Sequence, residues 1–386
     1  MVEDLIAYTP MYVTFFWAVV LLLSKRDKNR ARFFLGVFMS AAFLVYMSHA
    51  VFFKKEISTY QYIDSVYIFA MLSVYPLYYW YIKLLTIETE MRRYNLRMLL
   101  PAFILAFSSF VLYRLMAEEE RIIFIDRFLI HGDMKMPDGA VRQIQKWVIL
   151  TSRLVFAIQV VFFLIHGRNL VLRYNKRIAN FYSNLESKTI VWVKFLLYSF
   201  VATSAMSMVF NFIGRGVFME STWLLLIPSF IFSLLLFLIG LQGYMQNHTV
   251  IDLDRDEGGS HPGEQKKYNS EQLREKLVEL FARKQIYRQP ELKITEVSQF
   301  LATNRSYVSS LINTEFSCSF SEFVNGYRII EAKKLLAESS IEHYSLNYIS
   351  ETVGFGSVGT FIRVFRESEG VTPGKYREEI KMREGR

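Results

Sequence analysis

Cysteine is almost absent from this sequence, which has only Cys318 in 386 residues. A single cysteine excludes an internal disulfide framework and a cysteine-based zinc site. The six histidines are scattered over different segments, and the sequence has no HExxH, no P-loop, no GxSxG and no kinase or response-regulator signature. We therefore predict that the protein is not an enzyme and holds no metal or cofactor.

Apolar residues are abundant and unevenly spread. They make up 52% of the chain, include 34 Phe, and concentrate before residue 242. A helix needs about 20 residues to cross a hydrocarbon core of about 30 Å. Seven apolar stretches reach that length, which predicts a seven-span transmembrane helical bundle. Their predicted bounds are 5–23, 33–52, 62–85, 98–116, 147–165, 190–213 and 222–241.

Lysine and arginine are distributed unequally among the loops that join these stretches. If the N-terminus is outside, the three inner loops hold 13 Lys and Arg, and the three outer loops hold 8 over a similar total length. Positive residues favour the cytoplasmic side. We therefore predict an outside N-terminus and, after seven spans, a C-terminus in the cytoplasm. The inner loops are 24–32, 86–97 and 166–189, and the outer loops are 53–61, 117–146 and 214–221.

A few polar residues fall inside the apolar stretches. Asp64, Arg114 and Arg153 lie towards the outer ends of three spans, with His49 and Asn211 at comparable depth. An ionisable group in a span costs free energy and often has a function. One interpretation is an outward-facing ligand pocket with an Asp64–Arg153 pair. The alternative is that both arginines reach the headgroups while Asp64 lies at the interface.

The sequence changes character after the last apolar stretch. Residues 246–268 are polar and rich in turn-forming residues, which predicts a flexible linker about 25 Å long from end to end. The predicted domains are therefore a membrane domain at 1–245, this linker, and a soluble helical domain at 269–386. Residues 265–386 have 19 Lys and Arg against 16 Asp and Glu, so the soluble part is only weakly basic.

Short amphipathic segments follow one another in the soluble part. Ile294–Leu301 and Ser306–Thr314 are predicted helices joined by a tight turn at 303–305. On the second helix the apolar stripe contains Tyr307, Val308, Leu311 and Ile312. Two short helices across a tight turn, the second with a polar outer face, are typical of a helix-turn-helix unit.

The same pattern returns after a longer helix, Phe320 to about Ala337. Leu346–Val353 is a predicted short helix, Gly354–Gly356 a turn, and Ser357–Glu367 a second recognition helix. One such pattern is a weak signal. Two in tandem, joined by one helix, indicate a DNA-binding module.

Several spaced motifs recur along residues 270–380. They are Ile294–Leu301 (ITEVSQFL), Tyr307–Asn313 (YVSSLIN), Phe320, Phe323–Arg328 (FVNGYR), Ala332–Leu336 (AKKLL), Val353–Phe355 (VGF), Phe361, Phe365, Gly370–Pro373 (GVTP), Tyr376 and Arg377. With these motifs the sequence resembles the DNA-binding domain of AraC/XylS-type transcription regulators. Fusion of such a domain to a multi-span region resembles a group of membrane-bound bacterial regulators, many of them from Bacteroidetes.

This resemblance implies that two recognition helices enter successive major grooves, about 34 Å apart. Arg363 is the one base-contacting candidate able to make a bidentate contact to guanine. Its alternative role is a surface ion pair with Glu367, one turn on. The implied base-contacting residues are Ser306, Ser309, Ser310, Gly359, Thr360, Ile362 and Arg363, and the implied phosphate-contacting residues are Arg305, Arg366 and Lys375.

Together these patterns predict an all-α, membrane-embedded transcription regulator of the bacterial cytoplasmic membrane. It would bind double-stranded DNA and couple an unknown small-molecule or protein signal, from outside or from the membrane, to gene expression. The weak positive charge favours binding by two copies, as a homodimer. The alternative is that the spans are a passive anchor or a protein-interaction module that senses nothing. A transporter is disfavoured because the spans show no evident internal repeat.

Overall fold

The computed structural model describes residues 2–24, 30–54, 57–87, 93–134, 139–186, 188, 223–246, 253, 269–337 and 344–384. Within these ranges the regular secondary structure is helical, with one isolated antiparallel bridge between Tyr182 and Lys293. The expected all-α class is confirmed. The chain divides into two compact units, residues 1–171 with 190–250 and residues 172–189 with 251–386.

The first unit contains long apolar helices. Five of them in the described ranges are long and apolar enough to cross a membrane, and Tyr8–Leu23 is a shorter apolar segment. These six positions agree with six of the predicted spans, whereas the stretch 190–213 lies outside the described residues. The helices are α1 (Val2–Leu23), α2 (Arg30–Phe53), α3 (Ile57–Thr86), α4 (Leu100–Leu115), α5 (Glu118–Phe124), α6 (Ala140–Ala179) and α7 (Trp223–Met245).

Close helix packing holds the first unit together. Helix α1 packs against α2 and α7, α2 against α3, and α3 against α4. A Cβ on Gly240 of α7 would overlap the indole of Trp17 on α1, so the absent side chain permits this approach. The segment 117–146 contains the short helix α5, which continues as a π-helical turn, Ile125–Ile130, with its apolar side chains buried.

Helix α6 is longer than the stretch 147–165 predicted for it. It continues to Ala179, and its last residues belong to the second unit. The continuation has a physical cause in the sequence, because apolar side chains recur every three or four residues after the span. Leu170, Tyr174 and Ile178 are buried along one side of it.

In the second unit, the five helices predicted between residues 294 and 367 are present, with bounds that differ by at most two residues. The described residues of this unit form eight helical elements besides the end of α6. They are α8 (Ser270–Lys284), a 3₁₀ turn (Ile286–Arg288), α9 (Ile294–Phe300), α10 (Arg305–Glu315), α11 (Phe320–Ala337), α12 (Leu346–Val353), α13 (Val358–Glu369) and α14 (Pro373–Glu384). The predicted linker, 246–268, lies outside the described residues except for Gln246 and Leu253.

Helix α11 connects two helix pairs. Its first half packs next to α8 and α10, where Phe281 meets Phe323 in an edge contact. Its second half packs against α12 to α14, and this core includes Ile329, Phe361 and Phe365. Helix α11 therefore contributes apolar side chains to the cores of both pairs, α9–α10 and α12–α13.

Candidate nucleic-acid interface

The first helix-turn-helix unit is α9, a four-residue turn and α10. Asn304 caps α10, because its side-chain oxygen accepts a hydrogen bond from the backbone N–H of Ser306 at 3.0 Å. In the turn, Ala302 has a φ of 50°, in the left-handed region that glycine tolerates best. The turn thus orients α10 at the cost of one strained alanine.

On α10 the residues that contact the core are Val308, Leu311 and Ile312, all buried. The expectation that Tyr307 belongs to this inward stripe is wrong, since its side chain is 57% exposed. Tyr307 is one position before Val308 and is therefore rotated about 100° from it around the helix axis. The predicted base-contacting residues are on the outer side, where Ser306 and Ser310 are exposed and Ser309 is half-buried.

The second helix-turn-helix unit has the same arrangement, with residues that suit its helix caps and its turn. Ser345 caps α12 and Ser357 caps α13, each accepting a hydrogen bond from a backbone N–H three residues on. Gly354 ends α12 with a φ of 95°, and a Cβ there would meet the carbonyl oxygen of Arg288 at 2.5 Å. Glycine is thus required at this turn for both conformation and space.

The outer face of α13 carries most of the remaining predicted base contacts. Gly359 and Arg363 are exposed, and Thr360 is half-buried. Ile362 is partly buried and packs against the core that α11 shares with α12 and α13. Its side chain is thus divided between the core and the outer face, and a base-contacting role for it stays a prediction.

The charged side chains at these helices have surface partners. Nη1 of Arg363 lies 3.2 Å from Oε1 of Glu367, so the alternative ion pair forms in this structure. Both side chains are more than half exposed, and such a pair contributes about 0.5 kcal/mol or less. Arg366 is exposed, and Nζ of Lys375 lies 3.9 Å from a carboxylate oxygen of Glu379. These side chains remain available to DNA at little cost.

A segment that the sequence did not indicate also belongs to the second compact unit. Residues 172–189, assigned above to an inner loop, cluster with the helix-turn-helix units. The ring of Phe181 lies 5.8 Å from the guanidinium carbon of Arg305, the predicted phosphate contact of α10. Oε2 of Glu186 accepts hydrogen bonds from the hydroxyls of Ser357, at 2.8 Å, and Thr360, at 2.9 Å.

The buried arginine of α11 forms hydrogen bonds both to this segment and to the residues that precede α9. Arg328 is 1% exposed and donates hydrogen bonds of 2.7 Å to the carbonyl oxygens of Tyr287 and Gln289. Its Nη2 also donates to Oγ of Ser183, at 3.3 Å. Burial lowers the pKa of Arg328 to about 10, which the nearby Glu291 carboxylate opposes. The guanidinium therefore stays charged at neutral pH.

Cys318 lies in the connection between α10 and α11 and is half-buried. Burial raises the pKa of its thiol, and the negative charge of Glu322 raises it further. A reactive cysteine requires the opposite environment, in which positive charge stabilises the thiolate. The thiol is therefore a poor nucleophile at neutral pH.

The polar residues predicted to form a pocket in the first unit border one apolar cluster. Asp64 is 3% exposed and accepts hydrogen bonds of 2.9 Å from the hydroxyls of Tyr60 and Tyr113, two members of that cluster. The guanidinium carbon of Arg153 lies 5.9 Å from the ring of a third member, Phe128. A ligand-binding role for these residues stays a prediction.

The other predicted pocket residues are more dispersed. The ring of His49 lies among Tyr46, Phe53 and Tyr67, and the side chain of Arg114 is exposed. Asn211 lies outside the described residues.

Comparison with known proteins points to the same region. Residues 297–379 match the family model of a helix-turn-helix domain, which spans both pairs of helices. This match and the relatives below confirm the expected resemblance to AraC-type regulators for the C-terminal region. No solved structure gives a significant match.

Three curated proteins illustrate how limited the similarity is. The chain is 38% identical over 89 residues to "Uncharacterized HTH-type transcriptional regulator YtdP" of Bacillus subtilis, which is 23% of this chain and 11% of that protein. It is 30% identical over 90 residues to "Regulatory protein PocR" of Salmonella typhimurium, 23% of this chain and 29% of that protein. It is 29% identical over 94 residues to "Probable transcription factor PqrA" of Proteus vulgaris, 24% of this chain and 75% of that protein.

Proposed function

We propose that this protein, whose C-terminal region is an AraC-type helix-turn-helix domain, is a transcription regulator that binds double-stranded DNA from the cytoplasmic face of a bacterial membrane. The observation that carries the proposal is the pair of helix-turn-helix units joined by α11. Each unit presents small polar or basic side chains on the outer side of its second helix, namely Ser306 and Ser310 on α10 and Thr360 and Arg363 on α13. Such side chains contact base edges in the major groove.

Membrane embedding is supported by the outer surface of the first unit. Phe103, Phe107 and Phe110 of α4 are more than half exposed, and so are Leu154 and Ile158 of α6. Large exposed apolar areas are rare on monomeric soluble proteins. In the same unit the carboxylate of Asp64 is buried and hydrogen-bonded, whereas these large apolar side chains lie on the outer surface. That arrangement suits a lipid solvent.

The predicted topology is tested by labelling single cysteines in intact cells, with Cys318 replaced by serine. Glu119→Cys, in the segment before α6, should react with a membrane-impermeant maleimide in intact cells. Glu378→Cys, on α14, should react only after the cells are permeabilised. Labelling of both positions in intact cells, or in neither, would disprove the topology.

Coupling of a signal to DNA binding is the second half of the proposal. The sensing site would include Asp64 and Arg153, which border the same cluster of aromatic side chains. Mapping of chromosomal binding sites with wild type and with Asp64→Asn tests this role, since a sensor variant should change occupancy. Asp126→Asn is a matched control, because the Asp126 side chain is 46% exposed. Unchanged occupancy for Asp64→Asn would favour the passive anchor.

Binding by two copies is part of the proposal because the domain carries little excess positive charge. With 19 Lys and Arg against 16 Asp and Glu over residues 265–386, one copy has few cations for the phosphate backbone. A second copy on an adjacent site raises the effective affinity without new contacts. Lengthening the DNA between the binding sites of the two copies by five base pairs, half a helical turn, should therefore weaken binding.

A further inference from the structure

Residues 180–186 are packed into the second compact unit, next to the helix-turn-helix units, as a structural element. Phe181, Tyr182 and Ser183 are each no more than 2% exposed. Their backbone pairs with the strand-like residues before α9, because the N–H of Ser183 donates to Leu292 O and the N–H of Ile294 donates to Phe181 O, both at 3.0 Å. We call residues 172–186 together with Lys188 the docked segment.

Side chains from the start of α11 and from the loop before α9 hold the docked segment in place. The hydroxyl of Ser321, at the start of α11, donates to the carbonyl oxygen of Ser183 at 2.9 Å. Nζ of Lys188 lies 2.7 Å from a carboxylate oxygen of Glu291, and the amide of Asn184 donates to that same carboxylate. These contacts are polar and join several residues of the segment to fixed partners, so they define one position for the segment.

The docked segment reaches the outer faces of both recognition helices. On α13, the carboxylate of Glu186 accepts hydrogen bonds from Ser357, the N-cap residue, and from Thr360, a predicted base contact. On α10, the segment and the helix border an open cleft of about 540 Å³. Its lining includes Arg173, Lys176 and Arg177 from the segment and Ser306, Ser309 and Ser310 from α10.

DNA needs the same space and the same donors. A major groove about 12 Å wide admits one helix, and a helix with its side chains is 10–12 Å across. The end of α6 opposite Ser306 and Ser310 therefore leaves no room for a duplex on that face of α10. At α13, a DNA phosphate or base edge would accept hydrogen bonds from the hydroxyls that Glu186 already occupies, beside the N-terminus of a helix that favours an anion.

We infer that the docked segment and DNA compete for the outer faces of α10 and α13, so that the structure is an autoinhibited state of the proposed regulator. This inference rests on the proposed function, because it assumes that these faces bind DNA. Release of the docked segment exposes the recognition helices. The apparent affinity for DNA then equals the intrinsic affinity multiplied by the fraction of molecules with the segment released. The segment begins in α6, so the helix that precedes the inhibitor is itself one of the apolar candidate spans.

A reversible cross-link tests the competition in the full-length chain. A Cβ on Gly356 would lie 3.4 Å from Cγ of Asn184, which places the two Cβ atoms near the separation of about 4 Å that a disulfide needs. The test protein is Asn184→Cys/Gly356→Cys with Cys318→Ser, in lipid nanodiscs, oxidised with diamide and then reduced with dithiothreitol. The ligand is a genomic fragment that the wild-type protein enriches, and the two single-cysteine proteins are the controls.

We expect the oxidised double variant to bind the fragment at least tenfold more weakly than its reduced form, with affinity restored by dithiothreitol. The single-cysteine controls should bind equally before and after oxidation. Equal affinity of the cross-linked and reduced forms would overturn the inference, and so would failure of the two thiols to pair. If neither the wild-type protein nor Glu186→Ala, which lacks the docking carboxylate, enriches any fragment, the proposed function fails instead, so the two failures are distinguishable.

A second variant tests the same contact without a cross-link. Glu186→Ala removes the acceptor from Ser357 and Thr360 and should raise DNA affinity about tenfold, as expected for loss of hydrogen bonds to a charged group. Glu378→Ala removes an equal charge from an exposed position of α14 and should change the affinity less than twofold. Equal effects of both variants would mean that general repulsion of DNA, rather than docking, explains the role of Glu186.

Discussion

The carboxylate of Glu186 and the hydroxyl of Thr360 are 2.9 Å apart, although 174 positions separate them in the chain. One residue belongs to the segment after α6 and the other to the outer face of the second recognition helix. A surface proposed to bind DNA is thus in contact with an acidic residue of the same protein. Thr360, a predicted base contact, therefore has a partner within the protein itself. The accessibility of α13 to DNA depends on whether that contact is broken.

Arg363 should determine the sequence preference of α13, the recognition helix of the second helix-turn-helix unit. Arg363→Ala should weaken binding to an enriched fragment by about 1–3 kcal/mol, roughly 5- to 150-fold, and relax the preference at one base pair. Arg366→Ala is the comparison, because loss of a phosphate contact should weaken binding to all sequences alike and reduce its salt dependence. Gel shifts at several salt concentrations measure both. Wild-type affinity for Arg363→Ala would refute its role as a base contact.

Ala302 should be a site where glycine stabilises the first helix-turn-helix unit. Its φ of 50° costs an L-residue about 1 kcal/mol, and Ala302→Gly should recover most of that free energy. Ala282→Gly, at an exposed position inside α8, should instead cost about 1 kcal/mol. Hydrogen exchange of the α9 and α10 amides reports the change in the full-length protein. A destabilising Ala302→Gly would mean that the turn is not strained.

Arg328 should be indispensable for the fold of the second unit. Arg328→Met leaves the carbonyl oxygens of Tyr287 and Gln289 buried without their donor and should destabilise the unit by about 3 kcal/mol. Arg288→Met removes an exposed ion pair with Glu331 and should cost less than about 1 kcal/mol. Hydrogen exchange of the α11 amides measures the loss of stability in each variant. Equal losses for Arg328→Met and Arg288→Met would contradict the assigned hydrogen bonds of Arg328.

Cys318 should react slowly with iodoacetamide at neutral pH. Its raised pKa means that less thiolate is present at pH 7 than in a free cysteine, and the rate should keep rising as the pH passes the usual thiol range. Glu322→Gln removes the repelling charge, lowers the pKa and should speed alkylation at pH 8, while its amide still caps α11. An unchanged pH profile in that variant would exclude the electrostatic cause.

Local sequence signals were sufficient to predict the helices of the second unit. Capping residues such as Ser345 and Ser357, glycine at 354, and apolar spacing on α13 fix where helices begin, end and turn. These are interactions between residues a few positions apart. The misassigned Tyr307 is the exception, because an apolar residue beside the stripe of α10 is equally compatible with an inward and an outward position.

The docked segment could not be predicted in the same way. Its contacts join Ser183 to Ser321 and Glu186 to Thr360, and no local pattern encodes a pairing over such distances. A partial signal did exist in the apolar spacing of Leu170, Tyr174 and Ile178, which extends α6 beyond a lipid span. That spacing indicated that the helix continues but not what it packs against.

The central claim is that two recognition helices of one chain contact DNA together. Its most direct test is the sequencing of genomic fragments captured by the full-length protein in lipid nanodiscs, with empty nanodiscs as the control. We expect enriched fragments that share a motif of two blocks whose centres are about 10 base pairs apart, one for α10 and one for α13. Fragments with no shared motif, or with a single short block, would contradict it.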